Sequence, residues 1–248
     1  MVKGLDTFQK YFADYEEQYV LIGGAACDIL FESNEVNFRA TRDLDMVLIV
    51  EALTPEFGEK FWKFIVDGKY RNKATNGSNP QFYRFDKPED DNFPKMIELF
   101  CRSDFKLKNA KGITPIHIDD EVSSLSAILL NDDYYKALLN GKEVRKGLSV
   151  LRPEYIILFK AKAYLDLQKR KDSGEKLDSS DIKKHKKDVL RIASELMLEK
   201  VEKLPIAVDA DIHSFIDLLE QEPFDQNSLK RYGLKNENVV ELLKRVFG

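Results

Sequence analysis

Asp43-Leu44-Asp45-Met46-Val47-Leu48-Ile49-Val50 decides how the first half of this chain is read. Behind the two acids runs an unbroken apolar stretch rich in branched residues, the pattern of a buried strand. Side chains alternate along a strand, so Asp43 and Asp45 share a face, with Cα atoms about 7 Å apart. Two carboxylates so placed repel each other and resist leaving water unless something offsets their charge. A divalent cation would offset it, and ligands made only of oxygen suit Mg²⁺. The bland alternative is a solvated strand end facing a loop.

Upstream, Tyr19-Val20-Leu21-Ile22 is a second apolar run, ending in Gly23-Gly24 ahead of Ala25-Ala26-Cys27-Asp28-Ile29-Leu30-Phe31. This reads as strand, tight turn and helix opening. Such a turn lets backbone N–H groups approach a phosphate, with a helix N-terminus behind them. Between turn and acids, Arg39-Ala40-Thr41-Arg42 supplies two cations, Arg39 and Arg42, that can offset the acidic pair or hold a phosphate. Downstream, Glu98 is a lone acid inside Met96-Ile97-Glu98-Leu99-Phe100, costly to bury without a partner. It is either a third carboxylate beside the other two or an outward-facing residue on a half-solvated strand. Further strands are expected at 81–86 and 95–100, with weaker candidates at 113–118 and 124–130. Phe57, Phe61, Phe64 and Ile65 give 56–66 a helical period.

From Arg152-Pro153-Glu154 onward the patterns turn helical, and Pro153 suits a first helical turn. Helices are expected at 155–171, 180–200, 209–220 and 237–246. The expected fold is therefore α/β (α+β): a small mixed sheet flanked by helices over residues 1–150, then an all-helical bundle over 151–248.

The chain has 248 residues, 43% apolar and 33% charged, enough to bury a core as one large domain or two small ones. A net charge of -4 excludes a globally basic nucleic-acid coat. Residues 160–191 nevertheless carry eleven Lys/Arg against six Asp/Glu. That strip suits a triphosphate or RNA phosphates, or is a solvated helix face. Cys27 and Cys101 are too few for a disulfide scaffold or a cysteine zinc site, and His117, His185 and His213 have no metal-ligand spacing. There is no Gly-x-Gly-x-x-Gly, no phosphate loop and no nucleophile elbow. No apolar run reaches the roughly 18 residues of a membrane span, and the first six residues lack a signal peptide's apolar core. A cytoplasmic protein with no membrane partner is expected.

Taken together, Leu21-Ile22-Gly23-Gly24, Asp43-Leu44-Asp45-Met46 and Glu98 resemble the signature of the nucleotidyltransferase superfamily that includes polymerase β. That signature is an apolar strand, Gly-Gly or Gly-Ser, a helix, an acid-apolar-acid-apolar strand and a third acid on a later strand. The eighteen residues 25–42 exceed the compact form of the signature. Arg39-Ala40-Thr41-Arg42-Asp43-Leu44-Asp45 resembles the Arg-x-Thr-x-Asp-x-Asp stretch of the AbiEii-like branch of bacterial toxin nucleotidyltransferases.

The resemblance implies transfer of a nucleoside monophosphate from a nucleoside triphosphate to an acceptor hydroxyl. Asp43 and Asp45 would hold Mg²⁺, with Glu98 as an added ligand or as base, and Gly23 and Gly24 would admit the phosphates. The toxin branch further implies growth inhibition, a separate antitoxin partner and an RNA acceptor. It also implies a triphosphate-contacting lysine in the helical half, here Lys160 or Lys162. Two residues on a helix are about 200° apart, so only one of them can face a cleft, and the branch's spacing favours Lys162. Asp181, His185 and Asp188 stand at i, i+4 and i+7 on one helical face. They line the inter-domain cleft, or Asp181 favours the helix start and His185 is a packing residue. Two rivals are an inactive nucleotidyltransferase-fold binding module and a transferase acting on a small molecule of the aminoglycoside kind.

Overall fold

The computed structural model describes residues 3–32, 43–72, 82–101, 128, 129 and 131–248. Arg39, Arg42 and the strand candidate at 113–118 lie outside the described residues. Of the candidate at 124–130, the described Ile128 and Leu129 are helical and buried, which corrects the strand reading there.

The first part of the chain runs α1 (Leu5–Phe12), β1 (Tyr19–Ile22), α2 (Gly23–Glu32), β2 (Asp43–Leu48), a 3-10 turn (Val50–Ala52), α3 (Pro55–Asp67), β3 (Arg71–Asn72), β4 (Phe82–Asp86) and β5 (Met96–Cys101). After α4 (Asp132–Asn140) comes a hairpin, β6 (Lys142–Arg145) and β7 (Leu148–Leu151). The helices α5 (Pro153–Asp172), α6 (Ser179–Glu195), α7 (Ile206–Gln221), α8 (Gln226–Tyr232) and α9 (Asn236–Phe247) complete it. Among the described residues the strands form one seven-stranded mixed sheet, ordered β3-β4-β5-β2-β1-β7-β6. β2 lies antiparallel to β1 and parallel to β5, while β4 is antiparallel to β5 and β7 is parallel to β1.

These elements follow from local chemistry. Thr54 caps α3 by accepting from the Phe57 N–H at 3.3 Å, and Pro55 opens its first turn. Phe57, Phe61, Phe64 and Ile65 then fall on one buried stripe. That stripe meets α1 in an aromatic core, with ring centroids 4.5 Å apart for Phe8–Phe12 and 5.4 Å for Phe12–Phe64. Phe85 reaches the same cluster from β4, 5.6 Å from Phe61. The hairpin turns at Lys146 (φ 51°) and Gly147 (φ 68°), two successive positive φ values that match the twist of an antiparallel pair. The helix expected at 180–200 stops at Glu195, because Leu196 is extended and closes the last turn on the Ile192 carbonyl.

Contacts divide the chain into two compact units. One gathers Met1–Asp119 with Lys142–Leu151, and the other Asp120–Gly141 with Arg152–Gly248. The first holds the whole sheet with α1–α3; the second is helical. α4 thus belongs with the helical unit, not with the first half where a division at residue 150 puts it. There it packs on α7: the Tyr134 hydroxyl donates to Asp211 at 2.9 Å, and the Ala207 N–H donates to Asp133 at 3.0 Å. Among the described residues no helix is long and apolar enough to cross a membrane.

Candidate active site

Strand register sets the acidic site. In one row across the sheet, Ile22 of β1 pairs with Asp45 of β2, Asp45 with Glu98 of β5, and Glu98 with Arg84 of β4. Paired neighbours project to the same face, so Asp45, Glu98 and Arg84 stand side by side. Asp43 lies two residues before Asp45 on that face, opposite Met96. The three acids therefore share one face of the sheet, and Phe85 occupies the opposite, aromatic face.

Gly23 follows this row directly. It sits at φ +60°, and a Cβ there would collide with Oδ2 of Asp45. Two separate demands thus fall on one residue: a left-handed backbone and no side chain beneath the Asp45 carboxylate. α2 begins at this glycine, so its first backbone N–H groups open beside the acids.

Asp43 and Asp45 are half-buried, whereas Glu98 is only 6% exposed. Burial, the largest influence, pushes the Glu98 carboxyl above its ordinary value. Arg84 opposes it, donating from Nε at 2.8 Å and from Nη2 at 2.5 Å, both to Oε1. A side-chain hydrogen bond also joins Asp45 to Glu98, and the charge of Asp43 raises Glu98 further. Two carboxyls can share a hydrogen bond only by holding a proton between them.

Among the described residues no group of three His, Cys, Asp or Glu side chains is disposed to hold a metal ion. The oxygen-only pair Asp43 and Asp45 has the donor chemistry that Mg²⁺ takes. Glu98 stands beside them with its carboxylate held by Arg84. Arg84 is a site residue that none of the sequence motifs marks. The alternation of Arg84, Phe85 and Asp86 was the available signal, since it puts the two charged residues on one face and Phe85 on the other.

A solved structure to which the chain is similar is that of an antigenic nucleotidyltransferase-like protein from Paracoccidioides brasiliensis. The two are 13% identical with a TM-score of 0.47, over 97% of this chain and 93% of that one. That likeness concerns a nucleotidyltransferase-like protein and does not extend to the AbiEii-like branch. No protein-family model matches this chain, and no curated protein does.

The remaining candidates lie in the helical unit. Lys160 and Lys162 diverge from α5, as their spacing requires. Lys160 pairs with Asp188 of α6 at 3.0 Å. Lys162 pairs with Asp166 at 3.0 Å and with Asp211 of α7 at 3.2 Å. Burial lowers the Lys162 pKa, but its two carboxylates together outweigh that and leave it raised. Asp181, His185 and Asp188 do not act as one surface: Asp181 is exposed, while His185 and Asp188 are buried in the helical unit.

Proposed function

We propose that this chain is a Mg²⁺-dependent nucleotidyltransferase that moves a nucleoside monophosphate from a nucleoside triphosphate onto an acceptor hydroxyl. The observation that carries this reading is the row Asp45–Glu98–Arg84, with Asp43 on the same face and the positive-φ Gly23 beside the Asp45 carboxylate. Asp43 and Asp45 would hold the cation, whose charge would neutralise triphosphate oxygens. Gly23 and Gly24 let the backbone N–H groups at the start of α2 approach those oxygens. Glu98 fits the role of base better than that of ligand. Once a cation on Asp45 displaced the proton shared between the two carboxyls, the buried Glu98 carboxylate would be free to take one from an acceptor hydroxyl, with Arg84 fixing its orientation. Arg39 or Arg42 would stabilise charge developing on the departing pyrophosphate.

The finer part of the proposal is an RNA acceptor and a growth-inhibiting role opposed by an antitoxin. The Lys/Arg excess of residues 160–191 supports RNA phosphates as the partner. The decisive experiment is calorimetry of the wild type and of Asp43→Asn/Asp45→Asn with Mg²⁺ and each nucleoside triphosphate. Binding that needs Mg²⁺ and disappears in the double variant supports the site; equal binding in both overturns it. Incubation with labelled nucleotides and total cell extract then shows whether label enters RNA, protein or a small molecule. Label confined to small molecules removes the RNA acceptor while leaving the transferase standing.

A further inference from the structure

The helical unit holds a second concave site, remote in sequence from the acids. A cavity of about 410 Å³ is lined by Tyr164 of α5, by Lys183, Lys186, Lys187 and Leu190 of α6, and by residues of the α7–α8 connection, including Glu222, Phe224 and Asp225. Lys183, Lys186, Lys187 and Leu190 recur at i, i+3, i+4 and i+7, so one face of α6 turns three ammonium groups toward it. Lys186 stands between two rings, 5.7 Å from the centroid of Tyr164 and 5.6 Å from that of Phe224, and donates to the Glu222 carbonyl.

Charge in this cavity is not balanced. Tyr164 hydrogen-bonds to the Glu222 carboxylate. Asp225 caps α8, with Oδ2 accepting from the Ser228 N–H at 2.9 Å and from its hydroxyl at 2.8 Å. Both acids keep their charge in these contacts, Glu222 acting on Lys186 and Asp225 on Lys187, so three ammonium groups face two carboxylates and leave one positive charge in excess. Partial burial lowers the Lys186 pKa, the mark of an ammonium short of solvation that an anion would relieve. The size falls in the range of small-molecule pockets and is far more than a bare phosphate fills. Two rings flank Lys186, and Lys183 and Lys187 adjoin it on the same helix face, so aromatic surface and ammonium groups lie together, which suits a planar base joined to a phosphate.

We infer that this cavity, bounded by Tyr164, Phe224 and the α6 lysines, binds a nucleoside monophosphate group, its phosphate on Lys183, Lys186 and Lys187 and its base against the two rings. The site does not depend on the roles given to Asp43 and Asp45. A free nucleotide and the phosphorylated end of an RNA strand carry the same chemistry, and the test separates them.

The test uses the full chain carrying Asp43→Asn/Asp45→Asn, without Mg²⁺, so that nucleotide binding at the acidic site is silenced. Calorimetry with AMP is expected to show saturable binding, with adenosine binding at least about ten-fold weaker. Lys183→Gln/Lys187→Gln changes two exposed side chains and is expected to weaken AMP by about ten-fold or more with the thermal unfolding midpoint retained. Lys186→Met keeps the apolar stem between the rings and is expected to weaken AMP likewise. No saturable AMP binding, equal binding of adenosine, or equal AMP affinity in the lysine double variant each overturns the proposal. A 5′-phosphorylated oligoribonucleotide that binds more tightly than both AMP and its 5′-hydroxyl counterpart makes a strand end the ligand. Tighter AMP makes it the free nucleotide, and either ranking supports the site.

Discussion

Gly23 meets the acidic site with no room for any other residue. Gly23→Ala places a methyl group against Asp45 and forces an L-residue to φ +60°. The backbone alone costs roughly 1–2 kcal/mol, and the collision adds to it. Urea unfolding is expected to show a loss of at least about 1 kcal/mol, together with weakened Mg²⁺-dependent nucleotide binding. Glu98 gives a second prediction, with a definite sign. Its folded pKa is raised, so the folded state binds its proton more tightly than the unfolded chain does. The stability contributed by this residue is complete below the ordinary carboxylate range and is lost as pH rises through the raised folded value. Measured in chelator, the stability of wild type relative to Glu98→Gln is expected to fall from acid toward neutral pH; a difference that stays constant or grows would contradict the burial argument. The shared face of Asp43 and Asp45 follows from strand alternation alone, and so was legible. That Glu98 adjoins Asp45 and not some other residue depends on β2–β5 register, which no single strand encodes. Arg84 was not legible, because an arginine in a short strand reads equally well as a solvated edge.

Helices of the second unit are joined by charge as well as by apolar packing. Lys160 and Asp188 link α5 to α6 with side chains only 15% and 9% exposed. Removing one partner breaks a buried ion pair, which typically costs about 3–5 kcal/mol. Asp188→Asn or Lys160→Met alone is therefore expected to destabilise strongly, while Lys160→Met/Asp188→Leu recovers most of the loss. Additive effects in that double-mutant cycle would show that the two side chains do not compensate each other. The pair also shows why periodicity misread this face. Asp188 shares a stripe with His185, and Lys160 neutralises it from the next helix, so a polar residue on an apolar stripe here marks pairing within the unit. Long elements such as α3, α5 and α7 were legible to within a few residues at each end. α4 was not, although Asn131 caps it by accepting from Asp133 N–H at 2.9 Å, because its apolar stripe is brief. The β6–β7 hairpin was missed for a different reason. Its turn is Lys146-Gly147, and lysine at positive φ is a choice that turn chemistry does not announce.

The two units are interleaved along the chain, and no single break separates them. The sequence changes character near residue 150, where helical periods take over, and that change is real as a change of secondary structure. Compactness follows a different line. α4 lies before the hairpin that completes the sheet beside β1, yet packs in the helical unit, while β6 and β7 follow it and belong to the first. A polypeptide ending at Leu151 would keep every described strand but leave α4 without α7. Tyr134, Tyr135, Ala137 and Leu138, all at most 2% exposed in the whole chain, would then lose the helices that bury them. Exposing such a contiguous aromatic and aliphatic stripe promotes association. The fragment 1–151 is accordingly expected to aggregate on size-exclusion chromatography. Deleting α4 from that fragment, with a flexible link to β6, is expected to restore solubility, since the strip that aggregates is gone and the sheet remains. A monomeric, cooperatively unfolding 1–151 would mean that α4 finds adequate cover without α7, and that the sheet unit begins and ends where the periodicity changes.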